Sequence, residues 1–361
     1  RKGFLKKIIE RITSVEKEDP VGIYRVAINI PEHYLKRAVY FLSEGINGRF
    51  ELYVNGRLVS RSHAVFSLQK CLLSEYIKKG KNQLTLLVYR LNQGEVGPDE
   101  EKGTFGFSGL FRMPYIIAEP LLAIEKIKLD YGFQGQLDFS PEHSTKKDET
   151  SSTVIKASHD DQGISTDVKK EDTDKDQNAA LQNARLMIDC SLFNHLPRSV
   201  SVQFEYKIIR VEQEYDIYRL PEIRLKRSKN KPVHVTGRKN TCFKEELYVY
   251  SIIPWTDITP TLYDLIIEIK DEQGRLIDVK KVRFAFRTVQ IVNDMFCIND
   301  TAVPLHAVRY YCFDPVGGLQ VSKKTMKQDI ALMKQAQINC VFTPYFPQSS
   351  EFLSLCDKAG L

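Results

Sequence analysis

Long apolar runs are missing from this sequence of 361 residues, and none of its hydrophobic stretches is long enough to cross a bilayer. We therefore do not expect a membrane partner, and 42% hydrophobic with 27% charged residues is typical of soluble globular domains. The seven cysteines stand far apart without a CxxC pair, which argues against zinc, and we predict no metal site. Reduced, mostly buried thiols are expected, which favours a cytoplasmic setting.

The sequence starts with Arg1 rather than methionine and stops within a recognisable pattern, so we expect a piece of a longer protein. Its net charge of +6 is spread unevenly. Residues 141–180 hold ten acids against six lysines. This stretch cannot bury enough apolar surface to offset the entropy of ordering, so we predict a disordered acidic insertion. The basic stretch 219–240 lacks interleaved aromatics and is interpreted as a solvated loop, with no nucleic-acid partner.

The length fits two to three domains. We assign residues 1–120 to a first β-rich domain, with strands predicted at 24–30, 38–43, 49–54, 84–89 and 115–118. Asn55-Gly56 predicts a two-residue hairpin after residue 54, because both positions tolerate a positive φ. Residues 73–79 are predicted to form a helical turn. Many short strands joined by such turns indicate a sandwich or jelly roll.

Residues 121–290 are assigned to a second β-rich domain, which the acidic insertion interrupts. Strands are predicted at 124–129, 185–192, 200–209, 246–252, 263–269 and 276–286, with a hairpin turn at 271–274. From residue 291 to 361 the pattern changes. Strands at 305–311 and 339–343 alternate with helices that begin after Ser322 and at Ser349, and Met326, Ile330 and Met333 recur at helical spacing. Strand, helix, strand, helix is the opening of a parallel α/β domain, and a barrel of parallel strands needs eight such units.

Several stretches occur in an order that carries a family resemblance. In the first domain they are residues 19–25 (DPVGIYR), 44–47 (EGIN), 53–59 (YVNGRLV) and 108–112 (SGLFR). In the second they are 254–255, 260–263 (PTLY) and 284–287 (FAFR), and in the third 322–339 and 355–361. These resemble NPVGxYRR, EGVNSAFxxxVNGxxVG, SGIFRDV and LWSAExPxLY…VGFR of glycoside hydrolase family 2, of the β-galactosidase kind, followed by its first two barrel units.

The resemblance implies a sugar-binding jelly roll, an immunoglobulin-like sandwich and a catalytic (β/α)8 barrel. We therefore expect a mainly β fold followed by the first βα units of an incomplete barrel. Family members are retaining glycosidases: one glutamic acid protonates the leaving oxygen, a second attacks the anomeric carbon, and the carboxyls lie about 5 Å apart. In family order both glutamates fall beyond Leu361, so no catalytic residue is assigned and this chain alone is expected to be inactive.

Three positions depart from the family pattern. Gly103 stands where the family has a sodium- and sugar-binding aspartate, Phe342 where it has an arginine, and Tyr345 where it has a histidine that meets the sugar. An aspartate is a hard oxygen ligand, so the family's magnesium and sodium sites are not expected here. Phenylalanine has none of the N–H donors of arginine, and tyrosine has a single hydroxyl in place of the two ring nitrogens of histidine. We therefore expect altered galactoside binding.

Candidate sugar contacts are Asn47, Arg309, Tyr311, Asp314 and Tyr345. Asn47 matches the family's sugar-contacting asparagine, with a turn residue beside Gly48 as the alternative. Arg309, Tyr311 and Asp314 lie where a barrel strand delivers side chains to the catalytic face, with a scaffold role as the alternative. Trp255, the single tryptophan, is expected to pack in the core rather than stack on a sugar. His306 is expected to be a satisfied interior residue.

Two hypotheses follow. In the first, the chain is the front part of a family-2 glycosidase that hydrolyses β-linked sugars outside the usual galactoside subsite. In the second, it belongs to a non-catalytic relative kept for carbohydrate binding or assembly, since the polar groups expected at Gly103, Phe342 and Tyr345 are altered together. Both predict a carbohydrate ligand and the remainder of the barrel as partners, and a homo-oligomer by analogy with family relatives. The strand edges of an open barrel would cause self-association if left unpaired.

Overall fold

The structure, a computed structural model, describes residues 21–63, 67–90, 108–133, 181–211, 224–227, 232–344 and 347–361. The predicted acidic insertion lies outside these residues, as do residues 219–223 and 228–231 of the basic stretch. The rest of that stretch holds short strands at Arg224–Arg227 and Val233–Val235, which corrects the prediction of a single solvated loop, because both strands pair with longer neighbouring strands. Among the described residues, no helix is long and apolar enough to cross a membrane.

A first sandwich of antiparallel strands is built from nine segments. They are β1 (Val21–Ile30), β2 (Ala38–Ser43), β3 (Ile46–Asn47), β4 (Phe50–Val54), β5 (Arg57–Ser62), β6 (Gln69–Leu72), β7 (Gly80–Tyr89), β8 (Gly109–Leu110) and β9 (Tyr115–Glu119). One sheet has the order β1-β7-β4-β5, a second the order β6-β2-β9, and β3 pairs with β8. Phe50, Leu52 and Val54 alternate with less buried residues and are fully buried, because every second side chain of a strand points to the same face.

Both turns predicted in the first sandwich are present. Asn55 and Gly56 take φ values of 52° and 81° and join β4 to β5. Within residues 73–79 there is a single hydrogen-bonded turn, in which Tyr76 N donates to Leu73 O at 2.8 Å. The side chain of Asn82 accepts from Lys78 N and donates to Lys78 O, and so satisfies the backbone after this turn. A 3-10 helix at Glu32–Lys36 was not predicted.

The second sandwich has two four-stranded sheets, which gives it an immunoglobulin-like architecture. Its strands are β10 (Leu122–Phe133), β11 (Gln182–Asn194), β12 (Val200–Arg210), β13 (Arg224–Arg227), β14 (Val233–Val235), β15 (Asn240–Ile252), β16 (Tyr263–Lys270) and β17 (Leu276–Phe284). The sheet orders are β10-β11-β15-β13 and β14-β12-β16-β17. Alternate residues of β11 and β16 are buried and form the shared core, and Asp271 to Gly274 closes the predicted hairpin with a Gly274 φ of 78°.

A small sheet that the sequence analysis missed follows the second sandwich. It contains β18 (Val289–Val292), β19 (Met295–Ile298) and β20 (Thr301–Ala302). Each connection is an Asn-Asp pair in which both residues have positive φ, first at Asn293 and Asp294, then at Asn299 and Asp300. Such pairs fit tight two-residue hairpins, so the signal for this meander was present in the sequence.

The predicted α/β unit is confirmed. It consists of β21 (Ala307–Arg309), α1 (Lys323–Gln335), β22 (Cys340–Phe342) and α2 (Ser350–Ala359), and the two strands pair in parallel. The hydroxyls of Ser322 and Ser349 accept hydrogen bonds from the first turns of α1 and α2. Gly360 ends α2 with a φ of 72°, a left-handed conformation that favours glycine. Two parallel strands do not close a barrel.

Polar contacts join the three units. Tyr40 Oη and His195 Nε2 lie 2.8 Å apart between the two sandwiches, where burial is the main cause that lowers the pKa of His195 and raises that of Tyr40 to about 12. Trp255 is only 3% exposed, as expected for a core residue, and its indole Nε1 donates to Asp357 O of α2 at 3.0 Å.

All seven cysteines are free thiols and five are buried, as expected.

Candidate functional site

The inner face of the parallel pair carries three of the residues that the sequence analysis discussed. Tyr310, Cys312 and Val341 pack with α1 and α2, so their neighbours along each strand point to the opposite face. Arg309 is in register with Phe342 and its guanidinium carbon lies 5.5 Å from the centroid of that ring. The same carbon lies 5.8 Å from the ring centroid of Tyr311.

This cluster of Arg309, Tyr311 and Phe342 is accessible. Tyr311 is 43% exposed and Phe342 is 55% exposed. Aromatic faces attract guanidinium groups and the C–H faces of sugars, while the outward N–H groups of arginine keep their capacity to donate. The cluster lies at the carboxyl ends of two parallel strands, the edge at which barrel enzymes place their sites. Sugar contact by Arg309 and Tyr311 stays a prediction.

The helix-facing side of the same strands anchors the cluster. Tyr310 stacks on Phe352 with ring centroids 5.0 Å apart, and its hydroxyl donates to Asp329 Oδ2 at 2.6 Å. Burial, followed by the hydrogen bond to Asp329, raises the pKa of Tyr310 well above the usual range for tyrosine. The hydroxyl therefore stays a donor at neutral pH, and β21 is held against α1 and α2.

Asp314 closes a local turn. Its Oδ1 accepts from Val316 N at 2.9 Å and from Gly317 N at 2.8 Å, and its backbone exchanges two hydrogen bonds with Gly318. These backbone N–H groups hold the pKa of the carboxyl below its usual value, with Gly317 the larger contributor. Asp314 therefore stabilises a turn, which is the scaffold role given as the alternative. Sugar contact by Asp314 stays a prediction.

Asn47 lies in β3 and is only 2% exposed, with its backbone paired to Gly109 of β8. The turn conformation belongs to Gly48, which has a φ of 126° and lies close to the backbone of Tyr89. A Cβ at Gly48 would meet Tyr89 O at 2.5 Å, so glycine is required there. Sugar contact by Asn47 stays a prediction.

Arg112 connects the first sandwich to the loop that follows β22, and the sequence analysis did not single it out. Its Nη1 donates to Glu44 O at 3.0 Å and its Nη2 to Pro347 O at 2.8 Å, while Glu44 carboxylate oxygens lie 3.5 Å from Ser350 Oγ. Gly45 allows this approach, because a Cβ there would meet Arg112 Cβ at 2.4 Å. The 44–47 and 108–112 stretches therefore lie beside the carboxyl end of the parallel pair. The match of residues 108–112 (SGLFR) to the family motif was the sequence signal that could have pointed to Arg112.

His306 was expected in the interior and is exposed, which corrects that prediction. His306 precedes β21, and its carbonyl accepts a hydrogen bond from Asn339 N at 3.1 Å. Its ring is not part of the hydrophobic cluster that packs the two strands against α1 and α2. Tyr345 and Gly103 lie outside the described residues. Within the described ranges, no group of three or more His, Cys, Asp or Glu side chains is arranged as a metal-ligand set.

Three family models match the chain in order. They are the sugar binding domain of glycosyl hydrolases family 2 at residues 6–120, glycosyl hydrolases family 2 at residues 167–287, and the TIM barrel domain of that family at residues 289–361. A β-galactosidase of Pseudoalteromonas haloplanktis is 25% identical over 348 residues, which cover 96% of this chain and 28% of that protein. A β-galactosidase of Vibrio cholerae is 24% identical over 352 residues, covering 98% and 29%.

Solved structures share the fold. A Bacteroides uniformis β-glucuronidase superposes with a TM-score of 0.72 at 17% identity, over 95% of this chain and 35% of that one. A putative β-galactosidase from Bacteroides fragilis gives 0.71 at 15% identity, over 95% and 44%. The chain spans about 28% of the length of the curated relatives it matches. With the two sandwiches, the parallel pair and three consecutive matches to one family, the chain belongs to glycosyl hydrolases family 2, as a β-galactosidase-like amino-terminal portion whose TIM-barrel domain is only partly present.

Proposed function

We propose that this chain is the front part of a family-2 glycosidase that hydrolyses β-linked O-glycosides. The observation that carries the proposal is the accessible cluster of Arg309, Tyr311 and Phe342 at the carboxyl ends of β21 and β22. The proposed division is a sugar-binding jelly roll at residues 1–120, an immunoglobulin-like sandwich at 121–290 and the start of the catalytic barrel at 291–361.

In this proposal the chain's own residues bind and orient the sugar. Tyr311 and Phe342 offer ring faces to its C–H surface, and Arg309 donates hydrogen bonds to its oxygens. Arg112 holds the loop after β22 next to the stretch that contains Asn47, so both sandwich and barrel contribute to one site. The acid and the nucleophile would be two carboxyl groups about 5 Å apart on later barrel strands. The substrate differs from the usual galactoside, because the family arginine is Phe342 here.

The proposed partner of this chain's barrel strands is the remainder of the barrel. Leu305, beside β21, is 49% exposed, and among the described residues β21 and β22 pair only with each other, so their outer edges are open. Apolar strand surface of this kind promotes association in water. A homo-oligomer of the whole protein remains part of the proposal by analogy, and the isolated 361-residue chain should associate with itself at high concentration.

The test is an assay of the parent protein, including the sequence that follows Leu361, on a panel of aryl β-glycosides. We expect turnover of at least one member and no turnover by the 361-residue chain. Phe342→Ala in the parent should raise KM, whereas Lys244→Ala, at an exposed position of β15 in the second sandwich, should leave both KM and kcat unchanged. A folded parent that turns over none of the panel would contradict the proposal.

A second candidate function is non-catalytic carbohydrate binding or assembly. Phe342 favours this second function, because an aromatic ring replaces the guanidinium of the family arginine at the proposed subsite. Asp314 favours it as well, because its Oδ1 already accepts hydrogen bonds from backbone amides. Two glutamates at the family positions after Leu361 would favour the enzyme, and their absence the binding protein. Glycan binding that Tyr311→Ala abolishes, in a parent without turnover, would establish the second function.

A further inference from the structure

A cleft of about 640 Å³ lies between the two sandwiches, away from the parallel pair. The end of the 3-10 helix of the first sandwich, with Lys36 and Arg37, forms one wall. Arg198 and His234 of the second sandwich lie on the other, and Leu122 contributes to an apolar floor. Small-molecule sites commonly have volumes of about 300–1,000 Å³ with a few converging polar groups. The cleft therefore has the size and composition of a ligand site.

Of the four lysine and arginine side chains that line the cleft, only that of Arg275 has a carboxylate partner among the described residues. In the described part of the chain, no ion pair within 4.0 Å joins Lys36, Arg37 or Arg198 to a carboxylate. Asp271 is already occupied, because its Oδ2 accepts from Arg275 Nε at 2.7 Å and its Oδ1 from two backbone N–H groups. Three cations are thus available on two walls of one cleft.

Glu272 is the second carboxylate of the cleft. Glu272 lines it without an ion pair among the described residues, so the three unpaired cations exceed the unpaired anions by two. Ser201 Oγ and His234 Nδ1 lie 3.3 Å apart and add hydrogen-bonding groups that suit a polar ligand. A ligand with a tetrahedral anionic group and hydroxyl groups would satisfy both features.

The backbone that carries these cations is held in place. Asn194 is fully buried, and its side chain donates to Arg198 O at 2.9 Å and accepts from Leu196 N at 2.9 Å. On the opposite wall, Arg37 N donates to Tyr34 O at 2.9 Å. These bonds fix the backbone on both walls, so the cleft keeps its shape when a ligand binds and less ordering of the main chain is required.

We propose that this cleft binds a compact organic phosphate or sulfate ester. A tetrahedral group with three outward oxygens can accept from three cations at once, and the planar fork of arginine matches such oxygens in pairs. The hydroxyl-bearing part of the ligand would face Ser201 and His234. Since the cations come from both sandwiches, binding would also hold the sandwiches together. The proposal is independent of the catalytic function proposed above.

Isothermal titration of the 361-residue chain tests this proposal, at a protein concentration below that at which the chain associates with itself. The ionic strength is about 0.15 M, where charges more than about 8 Å apart are screened. The ligands are D-glucose 6-phosphate, D-galactose 6-sulfate, inorganic phosphate and unmodified D-glucose. We expect an ester to bind and glucose not to bind. Arg37→Gln and Arg198→Gln should each weaken binding about tenfold, the factor that corresponds to about 1.4 kcal/mol.

Arg25→Gln is the matched control, because Arg25 is an exposed arginine of β1 that does not line the cleft. It should leave the affinity unchanged, and far-ultraviolet circular dichroism should show that all variants fold. If Arg37→Gln does not fold, Lys36→Gln replaces it. Unmodified glucose binding as tightly as the esters, equal weakening by Arg25→Gln, or unchanged affinity in the cleft variants would each overturn the proposal. Inorganic phosphate binding as tightly as the esters would overturn the assignment to an ester and leave a free anion as the ligand.

Discussion

Replacing Gly360 by alanine should weaken the contact between the α/β unit and the second sandwich. Gly360 ends α2 with a φ of 72°, and its backbone lies against the loop that contains Asp257. A Cβ at this position would meet Asp257 O at 2.1 Å and the carbonyl carbon at 2.9 Å. Both contacts are with backbone, so no side chain can rotate away, and either the loop or the end of α2 must move.

The magnitude can be separated into two parts by a matched variant. Gly274 has a φ of 78°, nearly that of Gly360, but a Cβ there would meet nothing within 4 Å. Gly274→Ala therefore reports the cost of a left-handed alanine alone, about 1 kcal/mol. Gly360→Ala adds an overpacking cost of about 2 kcal/mol. The total for Gly360→Ala should be about 3 kcal/mol.

Trp255 provides the assay. It is the single tryptophan of the chain, and its indole Nε1 donates to Asp357 O three residues before Gly360. Urea unfolding followed by its emission thus reports on this contact. With a slope of about 2 kcal/mol per molar urea, Gly360→Ala should lower the midpoint by about 1 M more than Gly274→Ala does. Equal midpoints for the two variants would refute the reasoning, since the contact with Asp257 would then have no energetic effect.

Three further outcomes are expected. Because burial lowers the pKa of His195, the unfolded chain binds a proton that the folded chain does not; stability should fall as the pH drops below about 6.5, and His195→Gln should remove that slope in thermal unfolding. Arg112→Lys cannot donate to both Glu44 O and Pro347 O in the same fork geometry, and should cost about 1 kcal/mol in urea unfolding; an unchanged midpoint would exclude the connection. Tyr310→Phe should cost about 1–2 kcal/mol by leaving Asp329 without its hydroxyl donor, and a neutral result would show that solvent replaces it.

Features governed by neighbours along the chain were predictable. Asn55-Gly56 produced the hairpin, and Ser322 and Ser349 began the two helices, because each acts on backbone groups only a few residues away. The meander at Val289–Ala302 carried an equally local signal in its two Asn-Asp pairs and was missed. The single turn within residues 73–79 was predicted, whereas the 3-10 helix at Glu32–Lys36 was not.

By itself, the sequence determined the longer strands, both α-helices, the alternation that divides inner from outer residues, and the family, since all of these depend on residues close together or on ordered motifs. Only the tertiary structure decided that Arg112 reaches Pro347, 235 positions later, that Tyr40 meets His195, and that Arg37 and Arg198 share a cleft. The physical reason is that such contacts depend on how whole sheets pack. A pattern with a period of two or 3.6 residues states which face is buried and not which distant residue lies opposite.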